Sequence, residues 1–188
     1  YQVTTILWKL TGPLNNTRKS QYNIIPGIIE TNKRLTEAAN KNFLGIVEPE
    51  LYQYDQAKVV IQSAPYEHTS SYVQGSDKGP SAIIDASHFV EFFDEETNQE
   101  AYKKFGIATL EPMDFTGKVN KAAVDHIEAE TLKHLNNGKY VVSLGSEHTV
   151  TLGFVSAFMK HHSEFSVLQI DAHSDLRLAY HDNPYSHA

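Results

Sequence analysis

The chain has 188 residues, 40% hydrophobic and 21% charged, the proportions of one ordinary folded domain with a single core rather than of a disordered or fibrous chain. Its net charge of −7, with Lys and Arg scattered along the sequence, argues against a nucleic-acid partner, which needs a clustered positive face. The absence of cysteine excludes disulfides, thiolate catalysis and thiolate zinc sites; with no apolar run of about 18 residues and no signal-peptide pattern in YQVTTILWKL, the expected setting is cytoplasmic, with no membrane partner.

Residues 1–40 are polar and weakly patterned, with turn signals at Gly12-Pro13 and Pro26-Gly27 and a helix expected over about 28–39. They read as an N-terminal extension of unknown role. Asn15-Asn16-Thr17 matches a glycosylation sequon but lacks a secretory context. Tyr1 in place of Met and the abrupt Ala188 suggest a chain cut at both ends.

From Lys58 the pattern changes. KVVIQS is a short apolar run closed by Pro65 and predicts a buried strand. GPSAIIDASHFVEFF follows, with Pro80 where a helix starts and Ile83, Ile84, Phe89, Val90 and Phe93 spaced for one face. FGIATL, from Phe105, is a second strand candidate. VNKAAVDHIEAETLKHLNNG then predicts an amphipathic helix buried through Val124, Ile127, Leu132 and Leu135 and stopped at Gly138. YVVSLGS, from Tyr140, predicts a third strand, TVTLGFVSAFMKHH a helix, and FSVLQIDAH, from Phe165, a fourth strand. Near-continuous apolar strands alternating with helices predict an α/β fold, a parallel sheet covered on both faces.

That layout locates the chemistry, because open parallel sheets bind ligands beyond the carboxyl ends of their strands. The third strand leads into GSEHT and the fourth into DAHSD, and one crossover helix would make the two strands neighbours or near neighbours. In an extended segment Asp171, His173 and Asp175 point to one side, where two carboxylates and an imidazole call for a cation. With His148 they form four oxygen and nitrogen ligands suited to manganese, iron or zinc rather than calcium. The plain structural alternative is a loop whose carboxylates cap the next helix. His161-His162 at a helix end, and His68 and Tyr72 on an early loop, read more simply as exposed residues, and Arg177 as a surface ion-pair former.

GSEHT resembles the G-G-(D/E)-H-S motif of the ureohydrolases, the arginase and agmatinase family, and DAHSDLR resembles their D-A-H-x-D motif. NPYSHA is similar to the N-x-Y-S-H stretch of agmatinases, and APYEHTSSYVQGSDKGPSAIIDAS to their N-terminal segment. Four motifs in order over residues 41–188 imply the N-terminal portion of a ureohydrolase domain: a three-layer α/β/α arginase-like fold with a central parallel sheet, incomplete at its C-terminus. The resemblance implies a hydrolase that uses two Mn2+ ions to split a guanidinium C–N bond, with agmatine giving putrescine and urea in polyamine biosynthesis. Arginine, guanidinobutyrate or formiminoglutamate are the alternative substrates, and a catalytically inactive metal-binding fragment is the alternative state.

Carried over by residue, the resemblance implies that His148 and Asp175 bind one metal, His173 the other, and that Asp171 bridges them. Asp175 would also hold the attacking hydroxide, His187 would shuttle protons beside the substrate, and Asn183 would meet its distal end. Ser146 and Thr149 depart from the family's Gly and Ser. Two further metal-binding aspartates in S-x-D-x-D and a later glutamate have no counterpart in the sequence, so the chain alone is expected to bind metal weakly and to turn nothing over. A homo-oligomer, trimer or hexamer, is implied for the complete protein. A metallophosphoesterase would place its G-N-H-type histidine after D-x-H, the reverse of the order here.

Overall fold

The computed structural model describes residues 41–188, so the helix expected over 28–39 and the rest of the N-terminal extension lie outside the described residues. Three parallel strands, β1 (Val59–Ala64), β2 (Ile107–Thr109) and β3 (Tyr140–Gly145), form a sheet in the order β2-β1-β3. Val60 is opposite Ala108 on one side and Val141 on the other. The helices are α1 (Pro49–Tyr52), α2 (Gly79–Ser87), α3 (Ala101–Phe105), α4 (Lys121–Asn136) and α5 (Val150–His161). β1 is buried along nearly its whole length, as the middle strand of a sheet covered on both faces must be.

Alternation along β1 assigns the two faces. Val60, Gln62 and Ala64 face α4 and α5, while Ile61 and Ser63 face the side of α2, which gives the expected three layers. Ala64, Ala123, Ile127, Val150 and Phe154 pack as one cluster, and Leu135, Val141, Ala157 and Phe158 continue it toward the other end of α5. α4 carries its expected face: Val124, Ile127 and Leu135 are buried and Leu132 is packed against the core. Burial of a side chain such as Ile127 contributes roughly 1.5–3 kcal/mol. Contact between α4 and α5 is close because of Gly153, where a Cβ would lie 2.6 Å from Ile127 Cβ and 2.8 Å from the Val124 carbonyl oxygen.

Two expectations are corrected. The helix begun at Gly79 ends at Ser87, leaving Phe89 91% exposed and Val90 and Phe93 also outward. Ser87 Oγ donates to the Ile84 carbonyl at 2.6 Å and accepts the Leu44 amide at 2.8 Å, which fixes the helix end, and the aromatic and β-branched run that follows has little helical preference. The apolar run from Phe165 does not join β3: Val167, Leu168 and Ile170 are exposed, and among the described residues β3 has a strand only on its β1 side. An all-apolar strand needs both faces covered, and the described helices already cover the first three strands. The DAHSD segment reaches the β3 edge as an irregular chain, not as a neighbouring strand.

Candidate metal centre

The carboxyl ends of β1 and β3 are tied together before any site residue is placed. Gly145 ends β3 where a Cβ would lie 2.4 Å from Val150 Cγ2, so the strand can turn into α5 only without a side chain there. Ser146 Oγ then donates to the carbonyls of Ala64, at 3.2 Å, and of Tyr66, both in the chain leaving β1. Glu147 is buried, and its Oε2 accepts the amides of His68 at 2.9 Å and Thr69 at 2.7 Å while Oε1 accepts the Thr69 hydroxyl at 3.0 Å. With its neighbours so fixed, His148 is presented at the rim of the sheet.

His148 Nδ1 is hydrogen-bonded to Asp175 Oδ2 and lies 3.8 Å from Asp171 Oδ2. One ligand atom from each of His148, Asp171 and Asp175 falls within 4.8 Å of the other two. Their side chains are 14%, 2% and 20% exposed, so two carboxylates are drawn out of water around one imidazole. Carboxylates at that separation repel one another unless a cation lies between them, and this donor set, one nitrogen and two carboxylates, suits a divalent transition ion.

His173 is placed differently. Its side chain is 74% exposed, and Nδ1 lies 3.9 Å from the other Asp171 oxygen, Oδ1. The segment is not extended: the His173 amide donates to Asp171 Oδ1 at 2.9 Å, and Asp175 has φ of 47°. That turn breaks the two-residue alternation, so His173 stands on the far side of Asp171 from His148 instead of beside Asp175. Asp171 thus turns one oxygen toward each histidine.

A cavity of about 1190 Å³ opens beside the group, floored by the outer edge of β3 and lined by His148, Asp175, Arg177, Tyr180 and His187. Arg177 stacks over Tyr180, 5.4 Å from the ring centre. The loop after β1 forms the rim, with Tyr72 almost wholly exposed. Glu67 holds this loop: burial opposes ionisation, but hydrogen bonds from Gly75, Ser70 and Ser76 win and bring its carboxyl down to about 2.

His187 and Asn183 belong to a terminal turn that is pinned at three points. Asn183 Nδ2 donates to Asn120 Oδ1 at 3.0 Å, Thr149 Oγ1 donates to the Tyr185 carbonyl at 3.2 Å, and the His187 amide donates to Thr69 Oγ1 at 3.0 Å. Asn183 Oδ1 also accepts the Tyr185 amide, so both ends of its side chain serve the turn. His161 and His162 lie elsewhere, at the end of α5, one bonded to Asn136 and the other stacked on Phe158. Glu147, Glu67 and Thr69 organise the site without having been singled out as site residues in the sequence; an acidic residue at a strand end, beside a candidate ligand and with no basic neighbour, was the available signal for Glu147.

Residues 57–188 match the model of the arginase family. An N(1)-aminopropylagmatine ureohydrolase of Synechocystis is 37% identical over 140 residues, covering 72% of this chain and 46% of that protein. An agmatinase of Bacillus anthracis is 32% identical over 139 residues, with the same coverage of 72% and 46%. Among solved structures, the agmatine ureohydrolase of Thermoplasma volcanium superimposes with a TM-score of 0.61 at 28% identity, over 78% of this chain and 47% of that one. The chain spans about half the length of the curated relatives it matches.

Proposed function

The chain belongs to the arginase family, and from that premise we propose that the complete protein hydrolyses the guanidinium C–N bond of an agmatine-like amine, releasing urea. The observation that carries this reading is the gathering of His148, Asp171 and Asp175 within 4.8 Å at the carboxyl edge of the sheet, with the second Asp171 oxygen turned toward His173. His148, Asp171 and Asp175 would hold one Mn2+, and Asp171 with His173 would contribute to a second. When bound, such ions supply the Lewis acidity that lowers the pKa of water from about 16 toward neutrality.

The chain's own residues do the rest. The buried carboxylates lower the positive charge that a cationic substrate would otherwise meet. Asp175 stands where it can orient a water beside the group. His187 lines the cavity, where its imidazole can take up or deliver a proton beside the substrate. Asn183, with both side-chain ends engaged, acts here by holding the turn that carries His187. A guanidinium carbon is a poor electrophile because resonance spreads its charge, so positioned water and a positioned base are what the reaction requires.

Relatives named for agmatine and for its N1-aminopropyl derivative both resemble the chain, at 32% identity for the Bacillus anthracis agmatinase and 37% for the Synechocystis ureohydrolase. We therefore propose a terminal guanidinium on an aliphatic amine, agmatine or the longer derivative, yielding putrescine or the corresponding longer amine. A cytoplasmic homo-oligomer, trimeric or hexameric, completes the reading, and the 188-residue chain by itself is proposed to be inactive. The test is urea release by the complete protein with Mn2+ across agmatine, N1-aminopropylagmatine, arginine and guanidinobutyrate. Urea from either of the first two is expected; none from all four would contradict the assignment.

A further inference from the structure

Thr69 Oγ1 is placed between Glu147 and His187. It donates to Glu147 Oε1 at 3.0 Å, accepts the backbone amide of His187 at 3.0 Å, and lies 3.0 Å from His187 Nδ1. A threonine hydroxyl has one hydrogen and two lone pairs. Its hydrogen is committed to Glu147, whose Oε1 accepts it while the other oxygen of that carboxylate accepts the amides of His68 and Thr69. One lone pair of Oγ1 takes the His187 amide. What remains toward the imidazole is a lone pair, so the hydrogen of the Thr69–His187 ring contact has to come from Nδ1.

We propose that Glu147, acting through the Thr69 hydroxyl, fixes His187 as its Nδ1–H tautomer and leaves Nε2 as the ring's free proton acceptor. Thr69 and Glu147 are positioning residues in this scheme. Among the described residues Nε2 of His187 makes no hydrogen bond, and the ring lines the same cavity as Asp175. Tyr180 closes the other side of the ring, with centroids 5.8 Å apart at 73°, which limits rotation out of this arrangement. A neutral imidazole held this way can accept one proton at Nε2 from a group in the cavity and return the same proton, while Nδ1–H stays on Thr69 throughout. The hydrogen-bond pattern fixes the tautomer whatever the reaction; its catalytic consequence rests on the ureohydrolase reading.

The two are separated by measuring the tautomer directly. In the chain labelled with 15N-histidine, at a pH where the ring is neutral, long-range 1H–15N correlations distinguish a protonated from a bare ring nitrogen. His187 is expected to show protonated Nδ1 and bare Nε2, and Thr69→Ser is expected to preserve that pattern. Thr69→Val should release the ring to the Nε2–H form that free histidine prefers. Glu147→Gln makes a sharper demand: its amide nitrogen, facing Thr69, would donate to Oγ1, turn the threonine hydrogen toward Nδ1, and switch His187 to Nε2–H. A bare Nδ1 in the unaltered chain, or the same tautomer in all four proteins, overturns the proposal. In the complete enzyme, Thr69→Val should lower kcat roughly 100-fold with KM changed less than about threefold, and Thr69→Ser should restore it. An unchanged kcat in Thr69→Val, with its tautomer altered, would refute the catalytic consequence. The expected tautomers with no urea from any form of the enzyme would refute the ureohydrolase reading and leave the hydrogen-bond assignment standing.

Discussion

Lowering the pH should unfold this protein in part through one histidine that lies away from the candidate metal centre. His134 on α4 is 2% exposed, and its Nδ1 is hydrogen-bonded to the Tyr54 hydroxyl at 2.8 Å, which also receives Asn137 Nδ2 at 3.0 Å. Burial, followed by the nearby charges of Lys133 and Lys139, brings its pKa from 6.5 to about 4. The folded state therefore favours the neutral ring, and between those two values the unfolded chain binds more protons. Stability from this group is complete above pH 6.5, falls as the pH drops, and is gone below about 4. A shift of that size corresponds to about 3 kcal/mol. Urea unfolding midpoints at half-unit steps from pH 7.5 to 4, for the parent chain and for His134→Gln, measure it. The variant should be less stable at pH 7 and should lack the His134 part of the decline, so the two curves converge toward pH 4. Parallel curves would refute the reasoning.

Other consequences concern packing and the cavity rim. Gly153→Ala forces α4 and α5 apart and should destabilise the fold by about 1–3 kcal/mol, read as a lower denaturation midpoint. Thr131→Val removes the 2.7 Å hydrogen bond to buried Gln62 Nε2, leaves that group only Ser143, and should cost about 1–3 kcal/mol by the same assay. Glu67→Gln weakens the clasp on the 67–76 loop: the Gly75 amide should exchange with solvent faster while the amides of β1 stay protected. In the parent chain, the part of that protection due to Glu67 should be present above pH 4.5 and lost as the pH falls through about 2.

The three parallel strands, α4 and α5 were legible in the sequence because each carries its own periodic signal, such as Val124, Ile127 and Leu135 at helical spacing, with Gly138 just past the end of α4. What local pattern could not supply was partnership. FSVLQI has a buried strand's composition, yet no sequence rule states which strand it pairs with, and its Val167, Leu168 and Ile170 lie exposed here. HFVEFF likewise has apolar residues at helical spacing, but the Ser87 hydrogen bonds end α2 before it. At the site, His148, Asp171 and Asp175 could be named from the end of β3 and of the apolar run after α5. The turn that separates His173 from Asp175 depends on the positive φ of Asp175 and on a backbone-to-carboxylate bond that residue alternation does not register. Thr69 and Glu147 are 78 residues apart in the chain, and only the β1–β3 pairing brings them together.

The claim on which the functional reading stands is that His148, Asp171 and Asp175 surround a manganese ion. Crystals soaked in Mn2+ and measured at the manganese absorption edge would test it most directly. An anomalous peak within bonding distance of one atom from each of these three side chains is expected, lost in Asp175→Ala. A featureless map there, with Mn2+ bound at other side chains or not at all, would contradict it.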